Sequence, residues 1–253
     1  MTVVVEQNRR ALSITWDRPP LNVLDIALLR ELDQALISCA ANSAVDVVLL
    51  QGAGERAFSA GVDIKDHTSE KVPEMLEVMH SVIRNLLALP QATIALVRGV
   101  CLGGGCELAS SCDFIVAAED STFATPEILV GCYPPVALAR FSQMIGYHRA
   151  AEMILTGRRF SAREAQAMGL INRVFAANEL DNGVQALLDE LLGKSGAVLR
   201  LTLKGLRELS LQNFDAALKL SEEIYCRELL KTHDVEEGVR AFLEKRPPKW
   251  LHR

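Results

Sequence analysis

Two glutamates placed behind a run of glycines carry the chemistry of this chain. Gly103-Gly104-Gly105 leaves backbone N–H groups bare and admits positive φ, so a reacting oxygen can approach main-chain donors closely. Glu107 follows that run, and Glu127 lies 20 positions further on. A pair of carboxyls can serve one substrate as general acid and general base. Main-chain donors beside two carboxyls point to a reaction at or next to an activated carbonyl. Taken singly, each motif keeps a plainer reading. The glycines also suit a tight strand-to-helix turn, and Glu107 and Glu127 each suit the first turn of a helix, where a negative charge is favoured.

Other stretches carry less. Ala57-Phe58-Ser59-Ala60-Gly61-Val62-Asp63 is a run of small residues after a strand-like segment, open to close approach by a ligand or another backbone. Gly52-Ala53-Gly54-Glu55-Arg56-Ala57 imitates a dinucleotide fingerprint, but no helical pattern follows it, so nicotinamide binding is set aside. His67, His80, His148, His233 and His252 have no ligand-like spacing, and His67 reads as a solvated loop residue. The six cysteines lack a CxxC pair and read as small buried thiols of a reducing compartment. No metal site is expected.

The elements that must position these residues alternate. Val3–Val5 and Ala11–Trp16 read as strands joined by a polar turn. Asp25 caps a helix marked by Ile26, Leu29, Leu32, Leu36 and Cys39. A buried strand over 45–50 precedes a helix marked by Leu76, Met79, Ile83, Leu86 and Leu87, which stops before Pro90. One continuous strand over 93–100 runs into the glycine turn, a helix starts near Gly104, and 114–118 is a further strand. Such alternation implies a mainly parallel, layered α/β core. Beyond about residue 145 the chain turns helical. Gly157 closes one helix, Ser161 and Glu164 form a capping box for the next, and 171–175 is a last strand. Ala216, Leu220, Ile224, Val239 and Phe242 are expected to pack inward. The division is a β/α core over 1–195 and a helical region over 196–253 that caps it or contacts other subunits.

The bulk numbers bound the function. A chain of 253 residues with 49% hydrophobic and 23% charged residues has ordinary globular composition. Its net charge of −5 argues against nucleic acid or an anionic membrane surface as partner. No apolar stretch reaches the roughly 18 residues that span a bilayer, and the first ten residues lack an export signal, so a cytoplasmic protein is expected.

Together these stretches resemble the crotonase (enoyl-CoA hydratase/isomerase) superfamily. The resemblance runs through Trp16-Asp17-Arg18-Pro19, residues 57–65, 98–113 and 125–131, Leu155-Thr156-Gly157, and 167–174, in the expected order. It implies an α/β fold, the crotonase-like β/α spiral, assembled as trimers that often pair into hexamers. It implies that the N–H groups of Val62 and Gly104 form the oxyanion hole for an acyl-CoA thioester. Ala60, Gly61, Asp63, Ile64 and Lys65 then line the CoA site, and Lys245 reaches the CoA phosphate. Coenzyme A enters as part of the substrate, and no separate cofactor is implied. Both acidic positions match the family's hydratases, with Glu107 as base and Glu127 as acid.

One departure stands out. Where typical hydratases carry a proline followed by Gly-Ala-Gly-Gly, this chain has Pro134-Pro135-Val136-Ala137-Leu138. Pro135 replaces a glycine whose N–H is expected to help hold the water, and proline has none. The Pro-Pro-Val-Ala segment, with Gly61-Val62-Asp63-Ile64-Lys65-Asp66-His67-Thr68, resembles the cyclohexa-1,5-diene-1-carbonyl-CoA hydratases. The leading expectation is a hydratase of an α,β-unsaturated or conjugated dienoyl thioester. Within the superfamily the alternatives are a double-bond isomerase, a dehalogenase or a hydrolase. Outside catalysis stands a CoA-binding or RNA-binding relative, disfavoured by both retained glutamates and the acidic balance.

Overall fold

Residues of β1 (Val3–Asn8) and β2 (Ala11–Trp16) pair antiparallel across a turn at Arg9-Arg10. The computed structural model describes residues 2–251. Leu12, Ile14 and Trp16 of β2 alternate with half-buried neighbours, the period-two signature of a strand with one face in the core. α1 (Ile26–Ala40) begins as expected at Asp25, whose Oδ1 accepts the Leu28 N–H at 2.8 Å.

The chain then repeats one unit. β3 (Val47–Gly52) is followed by β4 (Ala57–Ser59) and α2 (Val72–Ala88). β5 (Ala92–Val97) is followed by β6 (Val100–Leu102) and α3 (Gly104–Ser110), and β7 (Phe114–Ala118) by β8 (Thr122–Ala124). Next come α4 (Pro135–Ile145), α5 (Tyr147–Thr156), β9 (Phe160–Ser161), α6 (Ala162–Met168), β10 (Arg173–Phe175) and α7 (Leu180–Leu192). α8 (Gly196–Ser210), α9 (Phe214–Arg227) and α10 (His233–Leu243) form the helical C-terminal region. The first strand of each unit joins a six-stranded sheet of order β1-β2-β3-β5-β7-β10. The second joins a four-stranded sheet of order β4-β6-β8-β9. Pairing is parallel except for β1 with β2 and β8 with β9. This stepwise winding between two sheets is the α/β spiral expected from the sequence.

Two expectations need correction. The single strand over 93–100 is two strands in two sheets, with the chain turning at Gly99 (φ 61°). Arg98 and Gly99 break the apolar run at this corner, a step that suits a bulge inside one strand as well as a turn between two. On α9 the inward face is Phe214, Leu218, Ser221 and Tyr225, whereas Ala216, Leu220 and Ile224 are exposed. Two apolar stripes run along this helix, and periodicity alone does not say which one meets the core. Val239 is buried as expected, but Phe242 is largely exposed.

Helices α7 and α8 cover one face of the six-stranded sheet through Leu180, Val184, Leu187 and Leu203. Arg207 of α8 fixes this layer: its guanidinium pairs with Asp113 and donates to the carbonyls of Leu89 and Gln91. Asp113 in turn accepts from the N–H and the hydroxyl of Thr93, each at 2.8 Å. Among the described residues no helix is long and apolar enough to cross a membrane.

Candidate active site

The backbone around residue 62 is held from three sides. Trp16 Nε1 donates to Phe58 O at 2.9 Å, with the two rings edge to face at 4.8 Å. Asn22 Nδ2 donates to Ala57 O at 2.7 Å, and Ser59 Oγ accepts the Gly61 N–H at 3.0 Å. Leu24 N–H donates to Gly61 O at 2.9 Å, and Leu24 O accepts the Asp63 N–H at 3.0 Å. Val62 therefore sits opposite Leu24 in a parallel bridge, with its own N–H directed away from that partner.

Pairing of β4 with β6 brings this loop against the start of α3. A methyl group at Gly104 would lie 2.7 Å from Val62 Cγ2 and 3.6 Å from Val62 N. That close approach needs a residue without a side chain at 104, and Val62 and Gly104 both line one cavity. Main-chain N–H groups at two such positions can hold a developing oxyanion.

Glu107, in the first turn of α3, is buried. Its Oε1 accepts the Ala137 N–H at 2.9 Å, and the Val136 N–H also bonds the carboxyl. Pro135 is the first residue of α4, so the N–H groups that follow it serve the glutamate. Glu127 lies in a short 3-10 helix, Pro126–Val130, and its carboxyl rests over Gly103. Its Oε2 is buried with no hydrogen-bond partner among the described residues.

Both carboxyls are pushed well above the ordinary carboxylate range. Burial raises Glu107 to about 7, against the pull of the Ala137 and Val136 donors. Burial and then repulsion from Glu107 raise Glu127 to about 8. Two such groups share protons as a pair, with one neutral while the other is charged near neutral pH.

The cavity between them is about 390 Å³ and is lined by Ala60, Gly61, Val62, Ile64, Gly103, Gly104, Glu107, Glu127 and Pro135. Other expected residues point elsewhere. Asp63 caps the turn at Ile64–Asp66 by accepting the Lys65 N–H at 3.1 Å, and it also faces Arg18 at 3.6 Å. Lys65 is exposed, and so is Lys245, beyond the end of α10. His67 is a cavity residue and not a freely solvated one: its Nδ1 bonds Asp63 O at 3.1 Å, and burial lowers its pKa.

The sequence reading missed the far wall. Met75 and His80 of α2, Tyr133, Tyr225 of α9 and Phe242 of α10 all line the cavity. Met79 also lines it, although its spacing marked only a helix face. Tyr225 and Phe242 are brought in by tertiary packing and carry no local signal of it.

Comparison with known proteins agrees with this geometry. A family model described as enoyl-CoA hydratase/isomerase matches residues 6–253. The chain is 36% identical over 261 residues to a probable enoyl-CoA hydratase of Rhizobium meliloti (strain 1021), covering 100% of this chain and 98% of that one. It is 31% identical over 254 residues to a cyclohexa-1,5-dienecarbonyl-CoA hydratase of Thauera aromatica, covering 100% of this chain and 97% of the relative. The crystal structure of an enoyl-CoA hydratase from Mycobacterium avium subsp. paratuberculosis K-10 superposes with a TM-score of 0.89 at 29% identity, over 99% of this chain and 98% of that one. A spiral that gathers Val62, Gly104, Glu107 and Glu127 around one cavity, matched along nearly its whole length, belongs to the enoyl-CoA hydratase/isomerase family.

Proposed function

We propose that the protein is a hydratase that adds water across the α,β double bond of an acyl-CoA thioester. The observation that carries this reading is the pair formed by buried Glu107 and half-buried Glu127, both lining one cavity and raised into the neutral range. Glu107 takes a proton from water as its oxygen bonds to Cβ, and protonated Glu127 gives a proton to Cα. The electron pair of the double bond passes through an enolate, whose oxygen the Val62 and Gly104 N–H groups hold. The sum is one water added, with hydroxyl at Cβ and hydrogen at Cα.

The CoA portion runs along Ala60, Gly61 and Ile64 at the cavity mouth, with Asp63, Lys65 and Lys245 at its outer edge. The Pro134-Pro135 segment and the likeness to the Thauera protein favour a cyclic dienoyl ring as the acyl group. With Pro135 lacking an N–H, water is held by the two carboxyls themselves. Leu201 and Leu209 of α8, exposed by 71% and 73%, support self-assembly, here read as trimers or hexamers.

The test is hydration of crotonyl-CoA and of cyclohexa-1,5-diene-1-carbonyl-CoA by wild type, Glu107→Gln and Glu127→Gln, with products weighed. A mass gain of one water, lost in both variants, is expected. An unchanged mass with a moved double bond would make the protein an isomerase, and wild-type turnover in both variants would sink the two-carboxylate mechanism.

A further inference from the structure

Beyond the two glutamates, the cavity wall holds polar atoms that hydration leaves unused. His80 of α2 has no exposed surface, and its Nδ1 bonds Glu222 Oε1 of α9 at 2.5 Å. A carboxylate can only accept, so the ring proton sits on Nδ1 and Nε2 is left as an acceptor. That Nε2 is buried with no partner among the described residues. Burial also lowers the pKa of the imidazole, which favours this neutral form.

Tyr225, one helical turn beyond Glu222, is 1% exposed, and its hydroxyl is likewise buried, with only the Cys132 thiol, a weak acceptor, facing it and no partner at full hydrogen-bond geometry among the described residues. Residues 222 and 225 share a face of α9, so the imidazole held by Glu222 and the phenol come from adjoining walls. Tyr133 fixes the phenol: its ring packs edge-on to Tyr225 at 5.0 Å, and its hydroxyl donates to Ser221 O at 2.7 Å. Both His80 and Tyr225 line the cavity that holds Glu107 and Glu127. Their neighbours there, Met75, Leu76 and Met79, are apolar. Unpaired polar atoms in such a wall are unfavourable unless a ligand completes them.

We infer that this wall is a hydroxyl-recognising subsite for the acyl group, in which a substrate hydroxyl beyond Cβ donates to His80 Nε2 and accepts from the Tyr225 O–H. The direction of the acyl chain rests on the hydratase reading above. A hydroxyl satisfies both atoms. A ketone would satisfy Tyr225 alone, and a plain alkyl chain neither. A carboxylate would meet an unprotonated Nε2 with the Glu222 charge behind it.

The experiment compares kcat/KM for trans-hex-2-enoyl-CoA and its 4-, 5- and 6-hydroxy derivatives. At least one hydroxy ester is expected to exceed the plain ester by about tenfold or more. That ratio should fall to about one in His80→Leu and in Tyr225→Phe, the second of which keeps the ring packed on Tyr133. If wild type hydrates the plain ester with no preference for any hydroxylated one, the subsite is overturned and the hydratase reading stands. If no hexenoyl ester is hydrated, the hydratase reading rests on crotonyl-CoA and the cyclic dienoyl-CoA and fails when these too are left unchanged. The subsite is then decided by calorimetric binding of the saturated 4-, 5- and 6-hydroxyhexanoyl-CoA esters against hexanoyl-CoA. Tighter binding of a hydroxy ester supports it, and equal binding overturns it.

Discussion

The carboxyl of Glu127 rests on the α-carbon of Gly103, so close that a methyl group there would lie 2.7 Å from Oε1. The second glutamate is therefore positioned by the turn that precedes the first. Gly103 has φ 53° and ψ −128°, a conformation that side chains resist.

Gly103→Ala adds both backbone strain and a collision with Glu127, the proposed acid. The variant is expected to lose about 1–3 kcal/mol of stability and about 100-fold in kcat as the carboxyl is displaced. Thermal denaturation and steady-state hydration check the two effects separately. A normal kcat would show that the acid works from some other position.

The buried pair also sets a pH dependence of stability. In the folded protein both carboxyls titrate above the ordinary value of 4.5. Below 4.5 both are neutral in folded and unfolded chains, and the fold carries no penalty. As pH rises from 4.5 toward 8, the unfolded chain has already released its protons while the folded chain must ionise buried acids, so stability falls across that window. Glu107→Gln keeps an oxygen for the Ala137 N–H and cannot ionise. It is expected to match wild type in stability at pH 4.5 and exceed it by about 1–3 kcal/mol at pH 9, while losing at least about 100-fold in activity. Urea unfolding at both pH values measures the gain; a gain of equal size at the two would contradict the raised pKa.

How far the sequence could be read follows from the range of each interaction. The glycine run, Glu107, the Asp25 cap and the Ser161–Glu164 capping box were legible because each is settled within a few residues. The corner at Gly99 was not, since the Arg98-Gly99 step that breaks the apolar run suits a bulge inside one strand as well as a turn between two. Nor was the inward face of α9, where Tyr225 lines the cavity and Leu220 lies in the open. His80 carries no local signal of its role, because Glu222, which fixes its tautomer, lies 142 positions away.

Arg207 tests how the helical region is fastened to the sheet. Its guanidinium joins Asp113 and two carbonyls of the segment before β5, with little exposure to solvent. Arg207→Ala leaves the half-buried Asp113 carboxylate with the Thr93 donors but without its cation, expected to lower stability by about 1–3 kcal/mol. Arg207→Lys restores charge but not the forked geometry and should recover only part of the loss. Denaturant melts of the two variants check this order; equal losses would mean that charge alone, without the fork, accounts for nothing.

A last consequence concerns Gly238, in a helix with no catalytic group. α10 packs on the segment that carries Glu127, and a methyl group at Gly238 would overlap the Val130 carbonyl and lie 3.1 Å from Gly131 N. Both neighbours are backbone, so neither can rotate aside. Either α10 retreats or the 126–131 segment shifts, and that segment holds the acid over Gly103. Gly238→Ala is therefore expected to reduce kcat by about 10- to 100-fold, a loss that Gly205→Ala, at a helical glycine with open space around it, should not reproduce. Binding of a saturated acyl-CoA should weaken far less than kcat falls, because the Val62 and Gly104 donors lie on other elements. Parallel losses in binding and turnover would mean that the whole cavity had collapsed and would refute a specific hold of α10 on Glu127.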